Sequence, residues 1–234
     1  MPLITCKDLS LGYDGKEILH GLGFEVCAGE YLCIVGENGS GKSTLMKTLL
    51  GLNQPFSGSV VLGEGLKKNE IGYLPQQTQI QRDFPASVLE IVLSGFCGVM
   101  GVKPFYTPAQ KSAAVRNIER MGIPHLKNRC YRELSGGQQQ RALLARALCA
   151  TGKIILLDEP VSGLDSKATA EMYDIIERLN REDKITVIMI SHDITAALKY
   201  ATNILHIGGE IFFGKKEEYM ESSVFSNSFG GEKV

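Results

Sequence analysis

The spacing of hydrophobic residues changes character three times along the chain. Up to about residue 65, alternation such as Ile4-Thr5-Cys6 and Gly23-Phe24-Glu25-Val26 is punctuated by glycines, which predicts short antiparallel strands. Tyr31-Leu32-Cys33-Ile34-Val35 breaks that rhythm with a continuous apolar run, as a strand buried on both faces requires. It leads into a glycine loop and then Leu45-Met46-Lys47-Thr48-Leu49-Leu50, giving strand, loop and helix in succession. From about 86 to 150 the period becomes helical, with helices expected over Val88–Leu93, 108–121 and 135–150. Buried strands return at 154–157 and Thr186–Ile190, separated by an amphipathic helix over 166–179. Strands alternating with helices imply an α/β fold with a parallel sheet. The tail 222–234 is polar and rich in Gly and Ser, and is expected to fray.

Composition narrows the function classes. The 234 residues are 44% hydrophobic and 22% charged, an ordinary globular balance, and the net charge of −1 supplies no basic field for nucleic acid or an anionic membrane surface. Residues 91–102 carry no charge but are too few to span a bilayer. They read either as a core helix followed by a Gly-rich loop or as a docking surface. Six scattered cysteines form no Cys-x-x-Cys pair, so buried reduced thiols are expected. Met1-Pro2-Leu3-Ile4-Thr5 lacks the charged and apolar regions of a signal peptide, which predicts a cytosolic chain without a membrane span of its own.

Gly36-Glu37-Asn38-Gly39-Ser40-Gly41-Lys42-Ser43 fits G-x-x-x-x-G-K-[ST] in its proper strand-to-helix context. Glycines let backbone N–H groups converge on phosphates, and the helix beginning at Lys42, Ser43 and Thr44 adds the positive end of its dipole. Lys42 is a point charge for the β- and γ-phosphates, and the Ser43 hydroxyl is a ligand for Mg²⁺. At the end of a second buried strand, Asp158 is assigned to Mg²⁺ or its waters and Glu159 to the water that attacks the γ-phosphate. Leu134-Ser135-Gly136-Gly137-Gln138 has the S-x-x-Q form of a capping box. Its two first-turn glycines weaken the helix, which suggests that backbone there approaches something closely, a second phosphate contact.

These motifs together resemble the nucleotide-binding subunit of ATP-binding-cassette (ABC) transporters over nearly the whole chain. The resemblance extends to Tyr13 as the aromatic stacked on adenine and to Gln76 as the glutamine reaching Mg²⁺ and the attacking water. It also covers Asp165 in the loop that crosses a dimer interface, and His192 as the switch histidine near the γ-phosphate. It implies a P-loop NTPase core with a mainly parallel sheet, an N-terminal antiparallel β subdomain and an inserted α-helical subdomain. The implied division of the single domain 1–234 is a core from about 1–85 and 151–215, a helical part at 86–150 and a tail at 216–234.

An ATPase using ATP and Mg²⁺ follows from the resemblance, with Ser135, Gly136, Gly137 and Gln138 completing the ATP site of a second subunit. The chain would pair as a homodimer or with another ABC subunit and join integral membrane permease subunits at the cytoplasmic face of the cell membrane. Residues 83–95, 134–148 and 192–202 resemble the ATPases of zinc and manganese importers, which implies a metal-binding extracytoplasmic protein in the complex and no nucleic acid. A cassette serving another cargo, or a soluble cassette protein, is the competing expectation. A GTPase is disfavoured because no Asn-Lys-x-Asp guanine motif occurs.

Overall fold

The computed structural model describes residues 2–13, 15–63, 65–76, 83–100 and 104–229. In chain order its strands are β1 (Pro2–Tyr13), β2 (Lys16–Cys27), β3 (Tyr31–Val35), β4 (Ser57–Leu62), β5 (Ile71–Leu74), β6 (Ile154–Asp158), β7 (Thr186–Ile190), β8 (Asn203–Ile207) and β9 (Ile211–Lys215). Two compact units arise, one from Met1–Lys68 with Thr186–Val234 and the other from Asn69–Ile185.

In the first unit, β2, β1 and β4 form an antiparallel sheet in that order. Alternation is realised in β2, where Leu19, Leu22, Phe24 and Val26 point inward. Both β1 and β2 run for twelve residues, longer than the short strands expected. Register shifts near Cys6, Leu9 and Leu11 bend the pair, which lets each strand run on past these irregularities. Beside it, β7 and β8 flank β3 in parallel, and β9 runs antiparallel on β8. All five residues of β3 and of β7 are buried, which accounts for their unbroken apolar runs. The helix Lys42–Leu49 buries Leu45, Met46 and Leu49.

Contrary to the expected fraying, the tail forms helices over Lys216–Glu221 and Ser223–Phe229. An aromatic cluster holds them. Tyr219 is fully buried, its ring 5.2 Å from Phe212 and 5.4 Å from Phe225, and its hydroxyl lies 2.8 Å from Nδ1 of His206. Residues 230–234 lie outside the described residues.

In the second unit, β5 and β6 pair in parallel, with Leu74 opposite Leu157. The helix Gly136–Ala150 packs against β5 and carries the helices Val88–Leu93 and Pro108–Arg120. Each of these three begins at a complete capping box, made by Ser135 with Gln138, Ser87 with Glu90 and Thr107 with Gln110. Of the uncharged stretch 91–102, Val92, Leu93 and Phe96 are core, whereas Cys97, Gly98 and Val99 are exposed. The core reading thus holds for the first part of the stretch, and Gly101 and Val102 lie outside the described residues. The thiols likewise divide: Cys6, Cys33 and Cys149 are buried, but Cys97 is exposed at the end of a helix too short to cover it. Among the described residues no helix is long and apolar enough to cross a membrane.

Candidate functional site

The phosphate loop follows directly from β3. Gly36, Gly39 and Gly41 have φ of 139°, 81° and 99°. At Gly36 no other residue fits, because a Cβ would stand 1.9 Å from the carbonyl oxygen of Ile207. Lys42 is buried, and its Nζ donates to the carbonyls of Gly36 at 2.9 Å and Glu37 at 2.6 Å, which holds the loop in a curl. Asn38, Gly39 and Ser43 are exposed and Thr44 half-buried on the first turn of the helix. The hydroxyl of Ser40 is buried with no hydrogen-bond partner among the described residues.

His192 stands exposed just past β7. Ser191 N donates to Ile34 O at 3.1 Å, tying the end of β7 to the end of β3, and Asp193 caps the helix Ile194–Tyr200 through Ala196 N. His192, Gly36 and Glu37 consequently line one cleft of about 430 Å³, to whose lining Val224 and Asn227 of the tail also contribute. That contribution of the tail was illegible in its polar sequence. His206, also on this cleft, has its pKa lowered by burial, with Glu37 opposing and Lys42 reinforcing the shift. The side chain of Tyr13 lies outside the described residues.

The second unit gathers Gln76, Asp158 and Glu159. Because β5 and β6 are parallel and in register, Gln76 and Glu159 both emerge two residues beyond the pair Leu74–Leu157. Gln76 Nε2 donates to Glu159 Oε2 at 2.9 Å. The neighbouring Gln77 lies outside the described residues. Asp158 is buried at the strand end, and its charge, after burial, helps push the Tyr73 hydroxyl up to about 12. Glu159 takes φ of 50°, a left-handed conformation that costs a non-glycine residue about 1–3 kcal/mol and re-aims its carboxylate away from the strand direction. Nothing in the sequence announced that conformation.

Ser135 caps its helix, accepting from Gln138 N at 3.4 Å, while Gln138 Oε1 accepts from Ser135 N at 3.1 Å. Within the chain, both glycines lie close to protein neighbours. A Cβ on Gly137 would lie 2.9 Å from the Ala168 Cβ, and one on Gly136 would lie 3.5 Å from Leu164 Cδ2. Asp165 caps the helix Ser166–Arg181 by accepting from Ala168 N at 2.8 Å. The ion pair of Arg141 with Glu171 joins the same two helices, a contact between residues thirty positions apart that no local pattern signals.

The family model described as "ABC transporter" matches residues 19–162. Among curated relatives, the zinc import ATP-binding protein ZnuC of Paracoccus denitrificans is 36% identical over 233 residues, covering 99% of this chain and 86% of the relative. The manganese transport system ATP-binding protein MntB of Bacillus subtilis is 34% identical over 97% of this chain and 92% of its own length. An ABC transporter solved in an inward-facing conformation superposes with a TM-score of 0.88 at 27% identity, covering 98% of this chain and 90% of that one. A dimeric ATP-binding cassette in a post-hydrolysis state, bound to ADP and Pi, gives a TM-score of 0.73 at 27% identity over 91% of this chain and 98% of that one. Motifs, fold and relatives agree, and the chain belongs to the ABC transporter family, as one of its ATP-binding subunits.

Proposed function

We propose that this chain hydrolyses ATP to power a membrane importer of a divalent metal, zinc or manganese. The hydrogen bond from Gln76 to Glu159, beside the buried Asp158, carries the hydrolytic part of that reading. Glu159 can only accept when ionised, so the Gln76 amide must turn its Nε2 toward it and offer Oε1 outward. Glu159 then accepts the proton of the attacking water, and Gln76 orients both partners. Lys42 neutralises the β- and γ-phosphates, and the curled loop presents its N–H groups to them. The orphaned Ser40 hydroxyl gains a partner when a phosphate oxygen enters the loop. His192 serves as a donor to the γ-phosphate.

Ser43, Asp158 and the Gln76 carbonyl are hard oxygen donors of the kind Mg²⁺ selects, so the residues fit that ion. Bound Mg²⁺ would neutralise charge on the β- and γ-oxygens. Tyr13 would stack on the base. In the composite arrangement, Ser135–Gln138 and Asp165 of one copy complete the ATP site of another, and each ATP joins two subunits.

Coupling needs a permease, and a cleft of about 300 Å³ in the second unit suits it. Phe84, Ile91, Tyr131 and Leu143 supply apolar walls, and Glu90 and Arg146 supply charges of both signs. Phe84 is 54% exposed, a large apolar surface for a free-standing chain. The subunit would thereby sit on the cytoplasmic face of the membrane, with a metal-binding protein on the other side. The metal cargo rests on the relatives named for zinc and manganese.

Glu159→Gln tests the hydrolytic reading. Turnover should fall about 10³-fold while ATP still binds and a dimer accumulates, and native turnover would overturn the base assignment. In a reconstituted complex, a zinc- or manganese-loaded binding protein should stimulate hydrolysis. A complex answering only to another cargo would overturn the metal reading.

A further inference from the structure

Three contacts tie the start of the signature helix to the helix behind Asp165. Gly136 faces Leu164, Gly137 faces Ala168, and one turn farther along both helices the guanidinium of Arg141 pairs with the carboxylate of Glu171. The steps 137 to 141 and 168 to 171 each span one helical turn, so the contacts are successive rungs of one seam. Ala168, which meets Gly137, is also the residue whose N–H Asp165 caps. Gly against Ala lets two helices approach closely but supplies no knob to stop sliding. A planar guanidinium on a carboxylate does fix register.

The pair is half-sheltered, Arg141 being 19% and Glu171 42% exposed, so its worth to global stability is small. We infer that Arg141 and Glu171 are positioning residues for hydrolysis: they set the register of Ser135–Gln138 against Asp165, so that both reach the partner subunit's ATP together. The inference rests on the composite-site reading proposed above. It separates two events, since ATP binding to a single chain does not need this register, whereas dimer closure and turnover do.

The pair borders an open groove shared with Glu119, Arg120, Asp174 and Arg178, which leaves room to exchange its charges. The full chain is compared as wild type, Arg141→Glu, the exchange Arg141→Glu/Glu171→Arg, and Ser135→Ala. For Arg141→Glu, kcat should drop about 10-fold or more, as misplacement of reacting groups does. Affinity of the single chain for a fluorescent ATP analogue should stay within about 2-fold, the signature of an interaction that acts only in turnover. The exchange should restore most of the rate, and ATP-driven dimerisation in the Glu159→Gln background should follow the same order. A native kcat in Arg141→Glu, equal loss of ATP binding and turnover, or no recovery in a folded exchange variant would overturn the inference. Should Ser135→Ala hydrolyse at the native rate, the composite site itself is wrong, and this inference falls with it. Loss of rate in Ser135→Ala beside native Arg141→Glu would defeat the positioning pair alone.

Discussion

The helix at Lys42 begins behind Gly41, in a left-handed φ of 99° and without a side-chain cap, whereas the helix at Gly136 begins behind Ser135, which closes a capping box with Gln138. Both are glycine-rich helix N-termini in an ATP-binding subunit, yet their glycines do different work. In the phosphate loop, positive φ turns the backbone so that its N–H groups stay available to a ligand. In the signature, the glycines adopt helical geometry and clear space for Ala168, while the box already occupies the N–H groups of Ser135 and Gln138. The Ser135 hydroxyl accepts from Gln138 N and can still donate its own proton outward. One terminus is a curled cradle of backbone, the other a capped helix start that adds the Ser135 hydroxyl to the N–H groups of Gly136 and Gly137.

The largest effect should come from breaking the cradle at its tightest point. Gly36→Ala forces a Cβ into the Ile207 carbonyl at a φ that alanine resists, and should cost about 3–5 kcal/mol, read as a lower urea midpoint. Lys42→Ala comes next. Loss of a buried ammonium that binds two loop carbonyls and is assigned to phosphate should weaken ATP binding by about 2–3 kcal/mol, measured by titration calorimetry. Unaltered ATP affinity would mean that the backbone alone holds the phosphates.

On the signature side the corresponding change is Gly137→Ala. Its Cβ meets Ala168 at 2.9 Å, and the cost of overpacking should be about 1–2 kcal/mol of stability, smaller than at Gly36 because two helices can part slightly while the Ile207 carbonyl sits in the ladder of β8 with β9. A Gly137→Ala penalty larger than that of Gly36→Ala would reverse the comparison.

These contrasts mark what the residues alone could reveal. The loop Gly36–Ser43 was legible because its chemistry is written in contiguous positions and its flanking strand and helix are strongly patterned. The capping box of Ser135 and Gln138 was legible for the same reason. The packing of Gly137 on Ala168 was not legible, since the two stand thirty-one positions apart and small residues leave no pattern of their own. The tail was misread because three aromatic residues, Phe212, Tyr219 and Phe225, fold it through ring contacts that a polar composition conceals. The left-handed turn of Glu159 is set by tertiary context, against local preference.

The smallest expected effect is one of pH, and it belongs to the cradle side only. Ser135 and Gln138 do not titrate in the working range, so the signature's cap is indifferent to acid. His206 neighbours the phosphate loop, with Glu37, Lys42 and the Tyr219 hydroxyl around it. Burial holds its pKa below the ordinary imidazole value near 6.5. Above that value both folded and unfolded chains carry a neutral ring, and the residue adds no pH dependence. As the pH falls below about 6.5 the unfolded chain takes up the proton first, so stability declines until the folded ring also protonates. In His206→Gln, where the amide can still bond Tyr219, the melting temperature should fall less between pH 7 and 5 than in the wild type. Parallel curves for the two proteins across that range would show that the ring's burial is not felt as a proton-linked cost.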